Sequence, residues 1–116
     1  MKNQQLLNRL KFNASLEKLI DTIDENDRPV KDYVQQRLLK YGVLGVTTSD
    51  KEYGAQVGHD LTHKIECRID FNIIDHESEY RIVIRNQRFA IARIYVDYPE
   101  KRMELTLYAD NPKAIN

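Results

Sequence analysis

Hydrophobic and polar residues alternate most regularly in the second half of the chain. From Lys64 to Ile73, Ile65, Cys67, Ile69, Phe71 and Ile73 fall on one face and Lys64, Glu66, Arg68, Asp70 and Asn72 on the other. A period of two held over that length predicts a half-buried strand. The polar run Asp75-His76-Glu77-Ser78-Glu79 then turns the chain. Tyr80, Ile82 and Ile84 resume the alternation against Arg81 and Arg85. Asn86-Gln87 supplies a tight turn, because Asn tolerates the left-handed conformation. The next predicted strand, Arg88 to Val96, shifts its apolar phase from Phe89 and Ile91 to Ile94 and Val96. A bulge near Ala92 or burial on both faces would produce that shift. Tyr98-Pro99-Glu100-Lys101 is a turn in which Pro fixes φ, and Met103, Leu105 and Leu107 close the set. Consecutive strands with short links predict a four-stranded antiparallel meander.

The middle of the chain predicts one helix. Ser49-Asp50-Lys51-Glu52 has the pattern of a capping box, and Gly58 is suited to end the helix. About two turns result, with Tyr53 and Val57 four apart. The first half is ambiguous. Leu16, Leu19, Ile20 and Ile23, with Ser15 as a cap, match helical spacing. So do Val30, Tyr33, Val34, Leu38 and Tyr41, with Pro29 at an allowed first helical position. Periodicity alone therefore favours two short helices, while Val43, Val46, Thr47 and Thr48 favour strand and Gly42 and Gly45 break a long helix. The segments 1–15 and 110–116 are polar and are expected to be loosely ordered tails on a single domain spanning 1–116.

Composition narrows the classes. The chain has 116 residues, long enough to bury a core without disulfides or metals. Lys plus Arg and Asp plus Glu each number 18, a formal net charge of zero. A protein that grips nucleic acid usually carries a basic surplus; only a local patch could hide in this total. Cys67 is the single cysteine, so no internal bridge forms. The start carries no apolar leader, and no stretch approaches the ~20 apolar residues of a bilayer span. A cytosolic protein is expected.

Candidate chemistry is sparse. His59, His63 and Cys67 are spaced four apart and would share a face on a helix, but alternation makes His63 to Cys67 a strand, about 13 Å long. Cys67 then lies among apolar side chains, where a thiol is inert. A Cys–His nucleophile also lacks an orienting third group. Asp21, Asp24, Glu25 and Asp27 precede Pro29 without the central Gly of a calcium loop, and read as a solvated turn. Gly54 and Gly58 do not form a phosphate cradle. No catalytic, cofactor or metal site is expected. Arg81, Arg85, Arg88, Arg93, Lys101 and Arg102 give the last strands a basic character, with Arg81 and Arg85 on one face. This reads as solvent-facing decoration, as an interface for acidic neighbours, or as a nucleic-acid contact, although few aromatics interleave it.

The order of these segments resembles the head–tail joining family of long-tailed phages, also called head-closure or stopper proteins. The resemblance runs from about Leu16 to Tyr108. It rests on Asp27-Arg28-Pro29-Val30 at a first turn, then Tyr33, then Tyr41-Gly42-Val43 in a second long strand. A short helix follows at Ser49 to Tyr53, and then the strand Thr62-His63-Lys64-Ile65-Glu66-Cys67-Arg68. Tyr80-Arg81-Ile82-Val83-Ile84, Phe89-Ala90-Ile91, the basic turn Pro99-Glu100-Lys101-Arg102 and Met103-Glu104-Leu105-Thr106-Leu107 complete it. Arg28 stands where the family usually has Gly, and residues before Leu16 are additional.

The resemblance implies strands in the first half, replacing the helical reading. The fold expected is mainly β, a small antiparallel sandwich or partly open barrel with one short helix in a long connection. It implies a non-enzymatic structural protein of a tailed phage or prophage that closes the packaged head and docks the tail. Copies would form a homo-oligomeric ring of twelve-fold symmetry between the portal–adaptor complex and the tail-terminator protein. DNA would pass the lumen without specific binding, a role that zero net charge suits. A tail terminator or a single-stranded nucleic-acid-binding barrel are the alternatives. The protein is expected in the virion, and in the host cytoplasm before assembly. The connection from Thr47 to Thr62 is the expected mobile contact element, with Tyr53, Gln56 and His59, together with Arg81 and Arg85, as candidate partner contacts.

Overall fold

The computed structural model describes residue 6 and residues 8–110. The expected tail residues 1–5, 7 and 111–116 lie outside the described residues. Six strands form: β1 (Phe12–Ile23), β2 (Pro29–Leu44), β3 (Leu61–Arg68), β4 (Tyr80–Ile84), β5 (Gln87–Asp97) and β6 (Arg102–Ala109). All pairings are antiparallel, in the closed order β1-β2-β3-β6-β5-β4. Of the two expected forms, the chain takes the single-sheet one. Pairing of Ser15–Lys18 in β1 with β4 closes the ring.

Both first-half segments with helical spacing are strands. Ala14 and Leu16 of β1 and Leu39 and Tyr41 of β2 alternate into the core, so pairing overrides local spacing. β1 begins at Phe12, and Leu6, Leu10 and Ala14 are buried. Inside the ring lie Leu16, Ile65, Cys67, Ile82, Phe89, Met103, Leu105 and Leu107, each at most 2% exposed.

Two details of the predicted second half change. The strand through Ile65 ends at Arg68. The Asp70 carboxylate accepts from the Asn72 amide at 2.9 Å and starts a short helix, α2 (Phe71–Asp75). Such a local side-chain bond competes with the sheet ladder. Ile73 reaches the core from this turn, whereas Phe71 is exposed. Because α2 and a 3-10 turn at Glu77–Glu79 carry the chain across the end of the ring, β3 pairs with β6 rather than β4. The meander therefore has three strands, β4-β5-β6. The turn after β4 centres on Arg85 and Asn86, both at positive φ, between the paired Ile84 and Gln87. The expected bulge is present: register slips between Ile91 and Arg93, turning Phe89 and Ile91 and then Ile94 and Val96 toward the core.

The helix of the long β2–β3 connection, α1 (Thr48–Val57), ends at Gly58 in the left-handed region (φ 79°). Its cap is Thr47 with Asp50, two residues ahead of the expected Ser49–Glu52 box. No described helix is long and apolar enough to cross a membrane.

Candidate assembly interfaces

β1 and β2 are longer than the ring needs. β1 leaves β4 after Lys18, and β2 meets β3 only from Gly42. Between these points the two strands pair only with each other, down to Ile23 opposite Pro29. The five residues beyond Lys18 project about 17 Å at roughly 3.3 Å each. This arm stretches the protein to 54 × 30 × 25 Å. The radius of gyration is 15.4 Å, against about 13 Å for a compact chain of this length.

A two-stranded ribbon is marginal in water unless something covers it. This one exposes Ile23 (66%), Val34 (40%) and Val30 (37%). Its tip is shaped by Asp24, whose carboxylate accepts from the amides of Asn26 and Arg28 at 2.8 and 2.9 Å. Hydrogen bonding from the Arg28 backbone holds that carboxyl below the usual carboxylate range. The acidic run read as a solvated turn is this tip.

The outer face of the ring carries a chain of ion pairs that binds α1 to the sheet. Asp50 is 1% exposed. Burial by itself raises its pKa, but the Thr47 amide, Arg93, Lys64 and the Thr47 hydroxyl together outweigh burial and hold it well below the ordinary range. Lys64 Nζ lies 3.1 Å from Asp50 and 3.4 Å from Glu104. Glu104 meets Arg102 at 2.6 Å, and Arg102 also contacts Asp97 at 3.3 Å and buried Glu66 at 3.4 Å. Arg9 closes on Glu66 at 2.9 Å. Buried carboxylates persist only when paired in this way.

The pairing changes the reading of the basic residues. Arg93 and Arg102 are neutralised within this network, and Arg81 is paired with Glu17 at 2.6 Å and stacked on Tyr33 at 3.8 Å. Arg85 sits in the turn rather than on the face of Arg81. Arg85, Arg88 and Lys101 remain exposed.

Strand directions place the loops at two opposite poles. The arm, the 69–79 connection and the β5–β6 turn share one pole. The α1 connection, the Arg85–Asn86 turn and the start of β1 share the other. Over residues 19–37 and 68–79, Asp21, Asp24, Glu25, Asp27, Asp32, Asp70, Asp75, Glu77 and Glu79 oppose Arg28, Lys31, Arg37 and Arg68. That is nine acids to four bases, a formal −5 in a chain of net zero. At the other pole the bases Lys11, Lys40, Lys51, Arg85 and Arg88 are exposed, against the exposed acids Glu52 and Asp60.

Of the candidate contacts, Tyr53, Gln56 and His59 lie on the α1 connection, with Arg85 at the same pole. Gln56 is exposed. Tyr53 lies under Arg93 at 4.6 Å, and His59 stacks on Tyr108 at 3.8 Å. These two rings hold the connection down. Arg81 is on the outer wall, apart from them.

Asp50 and the arm were not singled out in the sequence. Thr47-x-x-Asp50 carries the same capping signature as Ser49-x-x-Glu52, and choosing the earlier frame would have found Asp50. His59, His63 and Cys67 do not converge: His63 packs on Phe89 at 4.4 Å, and Cys67 is fully buried with its thiol pushed up to about 12, chiefly by burial. Among the described residues no group of three His, Cys, Asp or Glu is placed to hold a metal.

A small closed β-ring with a projecting arm, two unlike poles and a pinned helix defines a mainly β, single-sheet architecture. The model of the phage head completion protein family matches residues 1–112, and the chain belongs to that family. It is thus a structural component of phage head completion. Among solved structures, protein SF1141 from Shigella flexneri 2a superposes with a TM-score of 0.68 at 18% identity, covering 90% of this chain and 96% of that one. A chain from the virion of a native gene transfer agent particle superposes at 0.55 with 13% identity, covering 87% and 96%. Both are likenesses of fold. No curated protein sequence matches the chain.

Proposed function

We propose that copies of this chain form a closed, twelve-fold ring beneath the portal–adaptor complex, retain the packaged DNA and present the tail-terminator protein with a docking face. The observation that carries this reading is the division of contact features between opposite poles. In a closed ring each copy must meet the copy on one side and the copy on the other through different surfaces. The arm pole is acidic and carries the β1–β2 ribbon. The other pole carries α1, Gln56 and Arg85. The role is architectural and needs no chemistry at a reacting atom. DNA passes a lumen whose subunits have no net charge, so the phosphate backbone meets little sustained attraction. The subunit is made in the host cytoplasm and ends in the virion.

The rival single-stranded nucleic-acid barrel loses its main support, because Arg81, Arg93 and Arg102 are engaged within the molecule. Heads filled in the absence of this protein provide the test. Added protein should bind the portal–adaptor end, protect the packaged DNA from nuclease and permit tail attachment. Equal protection and attachment without it would sink the ring reading. Capture of tail tubes but not portal–adaptor would assign it to the tail end instead, and tight, steeply salt-dependent oligonucleotide binding would favour the nucleic-acid rival.

A further inference from the structure

We propose that the arm of one copy seats in the open mouth of the ring of strands in the next copy, a head-to-tail contact that rests on the ring reading above. The mouth at the pole opposite the arm is a cleft of about 450 Å³. Tyr41, Val43, Leu44, Val46 and Ile84 give it an apolar wall, and Lys51 stands at its rim. Val43 is 66% exposed, as is Ile23 at the end of the arm's first strand. Each copy therefore carries both an uncovered apolar projection and an uncovered apolar recess.

The two are complementary in charge as well. The arm pole holds the formal −5, while Lys51 at the mouth and Arg85 at the neighbouring turn are exposed cations that outnumber the one exposed acid of the cleft wall, Asp60. Rim charges of this kind steer encounter and fix orientation. An arm cannot fill its own mouth, because the two lie at opposite poles of a body 54 Å long. The contact must be heterologous, with a different patch on each partner, and such contacts close into rings when the rotation permits. A symmetric arm-to-arm pairing would instead place like charges together.

Cysteine cross-linking tests the contact, with Cys67 buried and out of play. A mixture of Ile23→Cys chains and Val43→Cys chains should give a mixed disulfide dimer under mild oxidation. A chain carrying both substitutions should give a ladder of trimers and higher species. Asp21→Lys with Asp32→Lys should weaken self-association by about tenfold, and Lys51→Glu with Arg85→Glu in the partner should restore it. Ile23→Cys chains linking only to one another, or no mixed product in protein concentrated to its solubility limit, overturns the proposal. Protein carrying both Ile23→Cys and Val43→Cys, added to unfinished heads under mild oxidation, separates the two ideas. If DNA retention is restored without an Ile23–Val43 cross-link, the arm contact falls and the ring reading stands. If retention is not restored, the ring reading falls.

Discussion

Arg93 of β5 reaches across 43 residues of chain to the carboxylate of Asp50 in the first turn of α1. Lys64 of β3 meets the same carboxylate from another strand at 3.1 Å. One side chain thus caps its own helix and ties that helix to the sheet. Asp50→Asn should cost about 3–5 kcal/mol, because it leaves two cations facing a neutral amide. Thr47→Ala should cost about 1 kcal/mol. Ser49→Ala and Glu52→Gln should each stay within ~0.5 kcal/mol. Denaturant midpoints of the four variants check this order, and a large loss at Glu52 would restore the later capping frame.

Acid should weaken the protein through the same group. The folded-state pKa of Asp50 is depressed, below the ~3.9 of an unfolded aspartate. Its stabilising contribution is complete above about pH 4 and is lost as pH falls through the folded value. Thermal scans at stepped pH should show the wild-type midpoint falling below about pH 4 more steeply than that of Asp50→Asn. Parallel curves would contradict the assignment.

Gly54 faces inward on α1. A Cβ there would stand 2.6 Å from the His59 carbonyl oxygen and 2.7 Å from Leu61 Cγ. Helix propensity favours Ala over Gly by roughly 1 kcal/mol. The clash is with backbone, so Gly54→Ala should nonetheless destabilise by about 1–3 kcal/mol. A raised melting temperature would mean that the connection lifts off the sheet at little cost.

The Cys67 thiol, buried and pushed up to about 12, should not react with a thiol reagent in the native state at neutral pH. Its labelling should follow unfolding, at a rate set by denaturant. Rapid native labelling would show that β3 opens locally.

The arm and the core should respond differently to substitution. Ile82 is fully buried and Ile23 is 66% exposed. Ile82→Ala should cost about 2–5 kcal/mol, and Ile23→Ser about 0.5 kcal/mol or less. In a head-completion assay Ile23→Ser should be impaired despite its normal melting curve, which separates assembly from folding.

Alternation by itself determined β4, the bulged β5 and β6, because those strands bury one face against the core and every second residue records it. Gly58 and the run Ser49-Asp50-Lys51-Glu52 located α1, two residues late at its cap. The single buried Cys67 was legible for the same reason. Resemblance, rather than periodicity, supplied the two first strands: Leu16, Leu19, Ile20 and Ile23 fit a helix as well as a strand, and only pairing with β2 and β4 chooses between them. Tertiary structure alone decided that Ile69, Phe71 and Ile73 do not continue β3, that Arg93 and Arg102 serve Asp50 and Glu66 rather than a partner, and that a neutral chain has an acidic arm pole. Local pattern reports which residues face inward. It carries no record of which strand ends lie together, and charge pairing across 43 residues and the division of loops between two poles depend on that topology.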